Sequence, residues 1–504
     1  MAFFSMYLWL AFFLMLLPAI IFLREISRRG KSHRLPPGPP QFPIIGNLHQ
    51  LRNFTHRSLW LLSKKHGPLM YLKLGSVPTV VVSSAKMARE VMKTHDLEFC
   101  SRPPLLPCKK LFYNLLDVSF APYGHYWREM RKICILELFS AKKVQSFRFM
   151  RDEEVAKMIH GLSTLSSSSS SSSSEASNLT EMLITFTNNI VCRAAFGKSY
   201  HEGNRDEKIR LHGAIKEAEI VLGSFCVTDI WPWLWWIDVL TGTRGRLEKN
   251  FGVLDSFLEK VIQEHLDHSG LKPEQEDLTD VLLRVQRDLH LTRNHVKAII
   301  MDILLAGTGT TSTSVLWAMT ELVRNPLAMQ KAQSEVRRVV GRKVKVDESD
   351  IHHLDYLQSV LKETLRLHPP APLLLPRETV QDCKIDGYDI PLKARVFVNS
   401  FAVGQQNEFW ENPEIFHPER FENESIDYKG QDFQLIPFGS GRRGCPGMYF
   451  AMVTMEIALA NLLYSFDWKL PDGMTREEID MNESFGLVVS KETPLRLVPV
   501  KCPW

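Results

Sequence analysis

The segment from Phe438 to Gly447 constrains the fold of this chain more than any other. It reads Phe-Gly-Ser-Gly-Arg-Arg-Gly-Cys-Pro-Gly, so a single cysteine, Cys445, lies among four glycines and two arginines, and an apolar helical stretch follows at residues 448–466. Glycines let a backbone pass close to a flat, bulky group. Arginines bind carboxylates through a planar fork, and a thiolate at a helix start is stabilised by the helix dipole. Together these residues predict a cysteine that ligates a metal in a dianionic macrocycle, with haem as the leading candidate.

The same segment resembles the haem-binding signature of the cytochrome P-450 family, Phe-x-x-Gly-x-Arg-x-Cys-x-Gly. Its fixed positions are matched by Phe438, Gly441, Arg443, Cys445 and Gly447. The resemblance implies that Cys445 ligates the iron of haem b and that Phe438 and Arg443 contact the haem. A lone cysteine is otherwise most often a small buried hydrophobe. The other seven cysteines lack paired spacing such as Cys-x-x-Cys, so they are interpreted as reduced thiols.

Composition favours one large globular body. Of 504 residues, 44% are hydrophobic and 23% are charged, which is ordinary for a protein with a large core. A net charge of +4 is too small to indicate nucleic acid as a partner. Motifs spread along the chain without a dividing linker, so residues 41–504 are predicted to form a single haem domain that acts as a monomeric catalytic unit.

Helical periodicity predominates and predicts a mainly α fold with small β-sheets. The cytochrome P-450 fold, which the resemblance implies, has the same composition of elements. Helices are predicted at residues 85–95, 126–138, 142–162, 179–196, 247–266, 292–324 and 356–367. Strands are predicted at residues 69–74 and 79–82 as a hairpin, at 384–399 as a second small sheet, and at 486–489 with 495–500 as a final hairpin.

The N-terminal segment predicts a membrane anchor. Residues 2–23 are apolar apart from Ser5, and at ~1.5 Å per residue they span roughly 33 Å, enough to cross a bilayer. Basic residues follow between Arg24 and Arg34, which indicates a cytoplasmic side, and no basic segment precedes the apolar stretch as a cleaved signal peptide would require. Residues 24–40 are predicted to be a basic, Pro-rich hinge. We expect a single-pass anchor in the endoplasmic reticulum membrane with a cytosolic catalytic domain.

Two biased segments stand out in the body of the chain. Residues 166–174 are nine consecutive serines, which predict a disordered surface loop, with a modification tract as the alternative. Residues 230–237 contain four tryptophans. Core packing and a membrane-touching loop explain them equally well, since tryptophan prefers the membrane interface. In the resembling family this loop lies near the bilayer.

Residues 292–324 predict one long helix that carries an unusual central stretch. Residues 306–314 contain two glycines and a run of hydroxyls, and glycine costs a helix roughly 1 kcal/mol each. Poor helix formers in the middle of an otherwise strong helix indicate a functional role, with tight packing against another helix as the alternative. The resemblance implies that this stretch covers the distal haem face. Ala306 and Gly307 would then leave room for dioxygen, and Thr310, assisted by Thr311, would relay protons.

Gly309 departs from the family pattern. The family usually has an acid immediately before the relay threonine, and here that position is a glycine. One route of proton delivery is therefore missing, unless Thr311 or water substitutes for it. The alternative is a reaction that does not need efficient oxygen activation.

Three charged residues predict a structural network. Glu363 and Arg366 lie three residues apart on one helical face, and Arg420 lies in a Pro-Glu-Arg-Phe element that resembles one in the family. By resemblance the three form a buried network that supports the haem-side core. A surface ion pair is the alternative for the first two.

Further haem contacts are predicted from arginines and one tryptophan. Trp127 and Arg131 match the family pattern Trp-x-x-x-Arg and would contact a haem propionate, one through its indole N–H and one as a cation. Arg377 is a further propionate candidate, with a solvated face as the alternative. The substrate pocket, by family analogy, is apolar and predicts a hydrophobic substrate. Its predicted lining residues are Leu105, Phe112, Phe120, Leu373, Leu374, Leu375, Leu487 and Val488.

Taken together, the resemblance predicts a haem-thiolate monooxygenase of the plant microsomal branch. It would insert one atom of O2 into a hydrophobic secondary metabolite, a terpenoid, alkaloid, phenylpropanoid or similar compound, with NADPH electrons delivered by NADPH-cytochrome P-450 reductase and with cytochrome b5 as an optional second donor. A haem-thiolate dehydratase or isomerase, motivated by Gly309, and a non-enzymatic membrane haem protein are the alternatives. The substrate itself and the site of attack do not follow from the residues.

Overall fold

The computed structural model describes residues 34–51, 55–168, 176–199, 205–267, 276–422 and 424–502. The predicted anchor at residues 2–23, the first part of the hinge and serines 169–174 lie outside the described residues. Serines 166–168 form the last turn of a helix that begins at Arg148.

Helices make up most of the described chain. They are α1 (Thr55–His66), α2 (Ala85–Arg89), α3 (Asp96–Phe99), α4 (Leu106–Leu111), α5 (His125–Ile133), α6 (Ala141–Ser146), α7 (Arg148–Ser168), α8 (Leu179–Phe196), α9 (Arg205–Gly223), α10 (Val227–Ile230), α11 (Trp235–Leu240), α12 (Thr243–Asp267), α13 (Leu278–Asp288), α14 (Arg293–Arg324), α15 (Pro326–Val340), α16 (Asp355–Leu367), α17 (Ser400–Val403) and α18 (Met448–Ser465). Helices α2 and α5 continue as π-helical turns at Glu90–Thr94 and Cys134–Leu138.

Small sheets complete the fold. The strands are β1 (Leu69–Leu74), β2 (Val77–Val82), β3 (Ser177–Asn178), β4 (Arg377–Glu378), β5 (Cys383–Ile385), β6 (Tyr388–Ile390), β7 (Arg395–Val398), β8 (Phe466–Lys469) and β9 (Arg496–Lys501). A four-stranded sheet has the order β1-β2-β7-β4, with β2 and β7 parallel, and a three-stranded sheet has the order β3-β9-β8. Strands β5 and β6 form a separate hairpin.

The long helix α14 is the axis of the core. It begins after Thr292, whose backbone N–H donates to Nδ1 of His295 at 3.1 Å, and it ends where Asn325 precedes Pro326. By length and composition α14 and α18 could each cross a membrane, and a bent pair formed by residues 209–230 and 232–240 would be a third such span. Most of the apolar window of α14 (67%) and of α18 (61%) is instead buried, because both helices pack against other helices on most sides.

Two predictions about strands are wrong in the same way. The predicted final hairpin does not form, because residues 486–489 are irregular and β9 pairs with β8 and β3. The predicted second sheet splits, because β5 and β6 form a hairpin while β7 joins β2 in parallel. Both errors concern partners distant in sequence, which local alternation of residues cannot identify.

Candidate active site

Cys445 is held by a tight loop before α18. The Cys445 backbone N–H donates to the Phe438 carbonyl at 2.9 Å, and the Gly444 N–H donates to Gly441 O at 3.1 Å. Gly441 has φ +69°, and a Cβ built there would meet the Asp96 carboxylate at 3.1 Å. Because both the left-handed backbone and the close approach exclude a side chain, this glycine is required for the turn that presents Cys445.

The Cys445 thiol faces a cavity. Cys445 alone of the eight cysteines has an exposed side chain, and the surface that it exposes is cavity wall. Burial raises the pKa of the Cys445 thiol, while the Gly447 N–H and the Arg131 charge act in the opposite direction. The site therefore already provides the two groups that would stabilise a metal-bound thiolate.

The cavity lies between the Cys445 loop and α14. Its empty volume is about 1900 Å³, part of which is open to solvent. Most residues predicted for the site line it: Arg131, Arg377, Arg443, Phe438, Ala306, Gly307, Thr310, Thr311, Phe112, Phe120, Leu374, Leu375, Leu487 and Val488. The cysteine and the central stretch of α14 thus share one chamber, although 134 residues separate Thr311 from Cys445 in the sequence.

Three predicted residues do not reach this wall. Leu105 and Leu373 are half-buried in neighbouring apolar clusters. The Trp127 indole N–H donates to the Val118 carbonyl at 2.9 Å, so it is satisfied by the backbone and not directed at the cavity. Trp127 instead packs behind the wall, with the Arg443 guanidinium 4.1 Å from its ring centroid. In this structure Trp127 therefore supports Arg443, and its direct contact with a haem propionate stays a prediction.

The wall carries more buried cations than its carboxylates neutralise. The Arg443 guanidinium donates to the carbonyls of Cys100, Val118 and Ala121 at 2.7, 3.2 and 2.6 Å, and Arg131 donates to Gly444 O. Among the described residues neither arginine forms an ion pair with a carboxylate. Burial lowers the pKa of Arg443 to about 9. Buried unpaired cations are costly, so this cradle fits a ligand that carries two carboxylates, as haem does.

Asp96 is a supporting residue that the sequence did not reveal. Its buried carboxylate contacts Arg377 Nη1 at 3.2 Å and Arg442 Nη1 at 2.9 Å, and it accepts the Arg442 backbone N–H at 3.1 Å. Arg377 also donates to Ser440 O at 3.0 Å. Asp96 therefore fixes both Arg377 and the turn before Cys445. No motif surrounds Asp96 in the sequence, so only the folded chain identifies it.

The central stretch of α14 combines two roles. Ala306 is exposed although it lies in the interior, because it faces the cavity, and the Thr310 hydroxyl donates to its carbonyl at 2.7 Å. Gly307 also serves helix packing, since a Cβ there would meet Val191 of α8 at 3.0 Å. The packing alternative therefore applies to Gly307, and the functional interpretation of this stretch stays a prediction.

A second residue that the sequence did not reveal lies next to Gly309. Glu219 of α9 lines the same cavity, and a Cβ at position 309 would meet Cδ of Glu219 at 3.1 Å. Burial raises the pKa of Glu219 to about 7. The only trace of this contact in the sequence is the glycine itself, which indicated a missing acid but not its spatial neighbour.

The predicted charge network is assembled behind the haem-side core. Glu363 accepts Arg366 Nε at 2.7 Å and Nη2 at 2.8 Å, and it accepts Arg420 Nε at 3.0 Å. Glu363 and Arg366 have no exposed side-chain surface, and Arg420 is 9% exposed. Arg366 also donates to the Gly404 and Pro413 carbonyls, which joins α16 to the loop around residues 404–415.

A thiol at the end of a glycine turn, an arginine cradle and a hydroxyl-bearing helix opposite define a haem-thiolate protein. The sequence pattern of the Cytochrome P450 family matches residues 36–498. The chain belongs to the cytochrome P450 family, and it is a monooxygenase that uses haem and dioxygen. Family membership implies a reductase as redox partner and a hydrophobic substrate.

Relatives and solved structures agree with this assignment. Strychnine-11-hydroxylase of Strychnos nux-vomica is 48% identical over 497 residues, which cover 97% of this chain and 96% of that protein. Cytochrome P450 71A1 of Persea americana is 50% identical over 461 residues, with coverage of 90% and 91%. A zebra fish cytochrome P450 solved with abiraterone has a TM-score of 0.75 at 25% identity and covers 90% of this chain and 100% of its own. The predicted family and fold are confirmed.

Proposed function

We propose that Cys445 is the axial ligand of the haem iron and that the cavity above it binds and oxygenates a hydrophobic plant metabolite. The observation that carries this proposal is the cavity-facing thiol of Cys445 beside Arg131 and Arg443, which form no ion pair with a carboxylate among the described residues. When bound, the haem supplies dioxygen reduction and oxygen-atom transfer, which an axial thiolate favours.

The residues of the chain bind, orient and supply protons. Arg131, Arg377 and Arg443 would bind the two haem carboxylates through charge-assisted hydrogen bonds. Phe438 would contact the haem. The hydroxyls of Thr310 and Thr311 hold protons on the opposite side. Ala306 and Gly307 keep that side free of bulky side chains.

The substrate is held by apolar surface. Aromatic and aliphatic side chains dominate the wall away from the arginines, and they would exclude water and bind an apolar molecule by shape. These residues are Phe112, Phe120, Leu374, Leu375, Leu487 and Val488. We infer a terpenoid, alkaloid, phenylpropanoid or similar substrate; one relative is named for hydroxylation of the alkaloid strychnine.

Electrons would come from NADPH through NADPH-cytochrome P-450 reductase, with cytochrome b5 as an auxiliary donor. The proposed setting is the cytosolic side of the endoplasmic reticulum membrane, with residues 2–23 as a single span and residues 24–40 as a hinge. The catalytic domain covers residues 41–504. This arrangement rests on the apolar and basic pattern of the N-terminus.

The ligand assignment is tested by Cys445→Ser. We expect the variant to lose the thiolate-type spectrum of the reduced carbonyl complex, because a serine oxygen does not replace a thiolate donor. Cys383→Ser is the matched control, since Cys383 lies in the β5 strand away from the cavity. Retention of the spectrum in Cys445→Ser would show that another residue is the ligand.

The amounts of NADPH and dioxygen consumed per molecule of product distinguish a monooxygenase from a dehydratase or isomerase. Membranes that contain the chain and its reductase can be screened against mixed plant metabolites, with products identified by mass. A monooxygenase consumes NADPH and dioxygen in proportion to product. Product formation without either would favour a dehydratase or isomerase.

A further inference from the structure

Glu219 occupies the space that a side chain at position 309 would fill. It projects from α9 toward α14, where the carboxylate lies against the Gly309 backbone. A Cβ built on Gly309 would overlap the carboxylate oxygen Oε1, with Cδ at 3.1 Å and Oε2 at 3.4 Å. A side chain at position 309 would therefore displace the Glu219 carboxylate from the place that it occupies.

The Glu219 carboxylate has no polar partner among the described residues. No hydrogen bond or ion pair to its side chain is formed there, and the residue is half-buried at the cavity wall. The charge that acts on it is Lys216, which is exposed on the same helix. The carboxyl is therefore not committed to a protein partner and is accessible to a group or a water in the cavity.

Other charged groups near α9 are engaged elsewhere. On the outer face Arg246 of α12 pairs with Glu217, and Lys110 of α4 pairs with Glu248 at 2.5 Å. On α14 Asp302 accepts the Ser119 hydroxyl at 2.6 Å together with the N–H groups of residues 118 and 119. The remaining ionisable residues on the cavity wall are Arg102, Arg131, Arg377, Arg443, Cys134 and Cys445.

Thr310 needs an external proton source. Its hydroxyl hydrogen is donated to the Ala306 carbonyl, so the oxygen is left as an acceptor. An acid within reach can protonate that oxygen as the hydroxyl releases its own hydrogen. Thr310 follows Gly309 directly, and both Thr310 and Glu219 line the cavity.

We propose that Glu219 supplies from α9 the proton-relay carboxyl that Gly309 lacks on α14, acting through Thr310 or an intervening water. This inference rests on the proposed role of the cavity in dioxygen reduction. In each step the Glu219 carboxylic acid gives its proton to the Thr310 oxygen, the Thr310 hydroxyl proton passes into the cavity, and the carboxylate takes a new proton from solvent water. Electrons come from NADPH through the reductase, and Glu219 itself is neither oxidised nor reduced.

The protonation of Glu219 can be measured without substrate turnover. Infrared difference spectra of the full-length holoenzyme between pH 5 and 9 should contain carboxylic acid C=O intensity that titrates near pH 7 and is partly lost in Glu219→Gln, since burial also raises the pKa of Glu456 to about 7. Because burial raises the pKa of Glu219, its acid form is present below pH 7 and is lost above it. Identical difference spectra of the wild type and Glu219→Gln would mean that Glu219 does not titrate in this range, which would overturn the proposal.

The relay is tested by measuring whether dioxygen is reduced to peroxide or to water. With reductase and NADPH but no substrate, dioxygen is reduced to peroxide (one NADPH per O2) or to water (two NADPH per O2), and only the second requires cleavage of the O–O bond. We expect Glu219→Gln to lower the rate of water formation by roughly 10- to 100-fold, within the range of a lost general acid, and to flatten its decline above pH 7. Glu217→Gln, on the outer face of α9, should leave both quantities unchanged.

A second test of the relay moves the carboxyl from position 219 to position 309. Glu219→Ala combined with Gly309→Asp moves the carboxyl from α9 to α14 and should restore water formation and its pH profile. Gly309→Asp alone should not improve them, because its Cβ would displace the Glu219 carboxylate that already serves this position. Failure of the double variant to exceed Glu219→Ala, with an intact thiolate-type carbonyl spectrum, would overturn the relay while leaving the ligand assignment unaffected.

One competing role gives a different result. If Glu219→Gln weakens only the binding of a hydrophobic quaternary ammonium probe and leaves the pH profile of water formation unchanged, Glu219 binds substrate cations and the relay is wrong. Loss of the carbonyl spectrum in Cys383→Ser or its retention in Cys445→Ser would instead count against the proposed haem ligand. The two failures are therefore distinguishable.

Discussion

At the residue scale, buried charges in this enzyme fall into two groups. The Glu363 carboxylate is fully hydrogen-bonded. Arg366 and Arg420 donate to it, and so does the His417 backbone N–H at 2.9 Å. In the part of the chain that the structure describes, the cavity residues Arg131 and Arg443 form no ion pair with a carboxylate, whereas Arg377 is paired with Asp96. The first arrangement stabilises the fold, and the second leaves positive charge for a ligand.

Glu363→Gln is expected to reduce the free energy of unfolding by about 3–5 kcal/mol, because Arg366 and Arg420 would lose a buried anionic partner. Urea unfolding of the full-length protein in detergent measures the change. Glu422→Gln, which removes a surface partner of Lys331, is the matched control and should cost about 0–1 kcal/mol. Equal costs for the two variants would contradict a structural role for the Glu363 network.

Sequence reasoning succeeded where a residue belongs to a short motif. Cys445, Glu363 and Thr310 lie in the environments predicted for them. It failed for Asp96 and Glu219, because each acts across the fold on a partner more than 80 residues away, and nothing local marks a carboxylate as buried. For Trp127 the motif indicated the region, whereas the Val118 carbonyl that accepts its indole N–H in this structure has no signal in the sequence.

At the element scale, the end of α9 controls one side of the cavity. Gly223, its last residue, approaches the backbone of residues 486 and 487 so closely that a Cβ would overlap Gly486 C and Leu487 N. The Leu487 N–H donates to Glu219 O at 3.1 Å. The irregular segment at residues 485–488 thus replaces the predicted hairpin because its backbone is bonded to α9.

Gly223→Ala should destabilise the protein by about 1–3 kcal/mol, because neither backbone can yield without moving the cavity wall. The matched control is Gly213→Ala in the same helix, where a Cβ meets nothing within 4 Å. That substitution should stabilise the protein by about 1 kcal/mol through helix propensity. Thermal unfolding of both variants decides the matter, and a stabilising Gly223→Ala would show that the two segments are not in rigid contact.

Helix positions were more predictable than strand partners. The helix at Leu179–Phe196 matches its predicted bounds, since apolar periodicity and a terminal Gly197 mark it locally. The predicted helix at residues 142–162 is interrupted at Phe147, between α6 and α7. Strand β7 could not be assigned to β2, because more than 300 residues separate the two strands.

At the scale of the whole molecule, exposed apolar side chains gather on the face formed by the tryptophan segment at residues 230–237 and the chain around residue 45. Trp233, Trp235 and Trp236 are 50%, 51% and 46% exposed. The Ser76 N–H donates to Ile230 O at 3.2 Å, and the Gly75 N–H donates to Ile45 O at 3.2 Å. The turn at residues 75–76 therefore joins the tryptophan segment to the residues around Ile45, which follow the proposed hinge at residues 24–40. This favours the membrane-touching interpretation of residues 230–237.

Full-length protein in vesicles of brominated lipid should show strong quenching of tryptophan fluorescence. We expect Trp233→Ser, Trp235→Ser and Trp236→Ser together to remove most of the quenching, apart from that of Trp9 in the proposed anchor. Trp410→Phe, which changes a buried tryptophan, should leave the quenching unaltered. No difference between the triple variant and the wild type would mean that this face is turned away from the bilayer.

The contact between Glu219 and Gly309 has a consequence for how relatives of this enzyme are compared. A survey that inspects only the motif on α14 would group this chain with enzymes that have lost an acid. The informative unit is a pair of positions 90 residues apart, because the carboxylate of Glu219 occupies the place that a side chain at position 309 would take. Classification by one column of an alignment would therefore count a relocated carboxyl as a deletion.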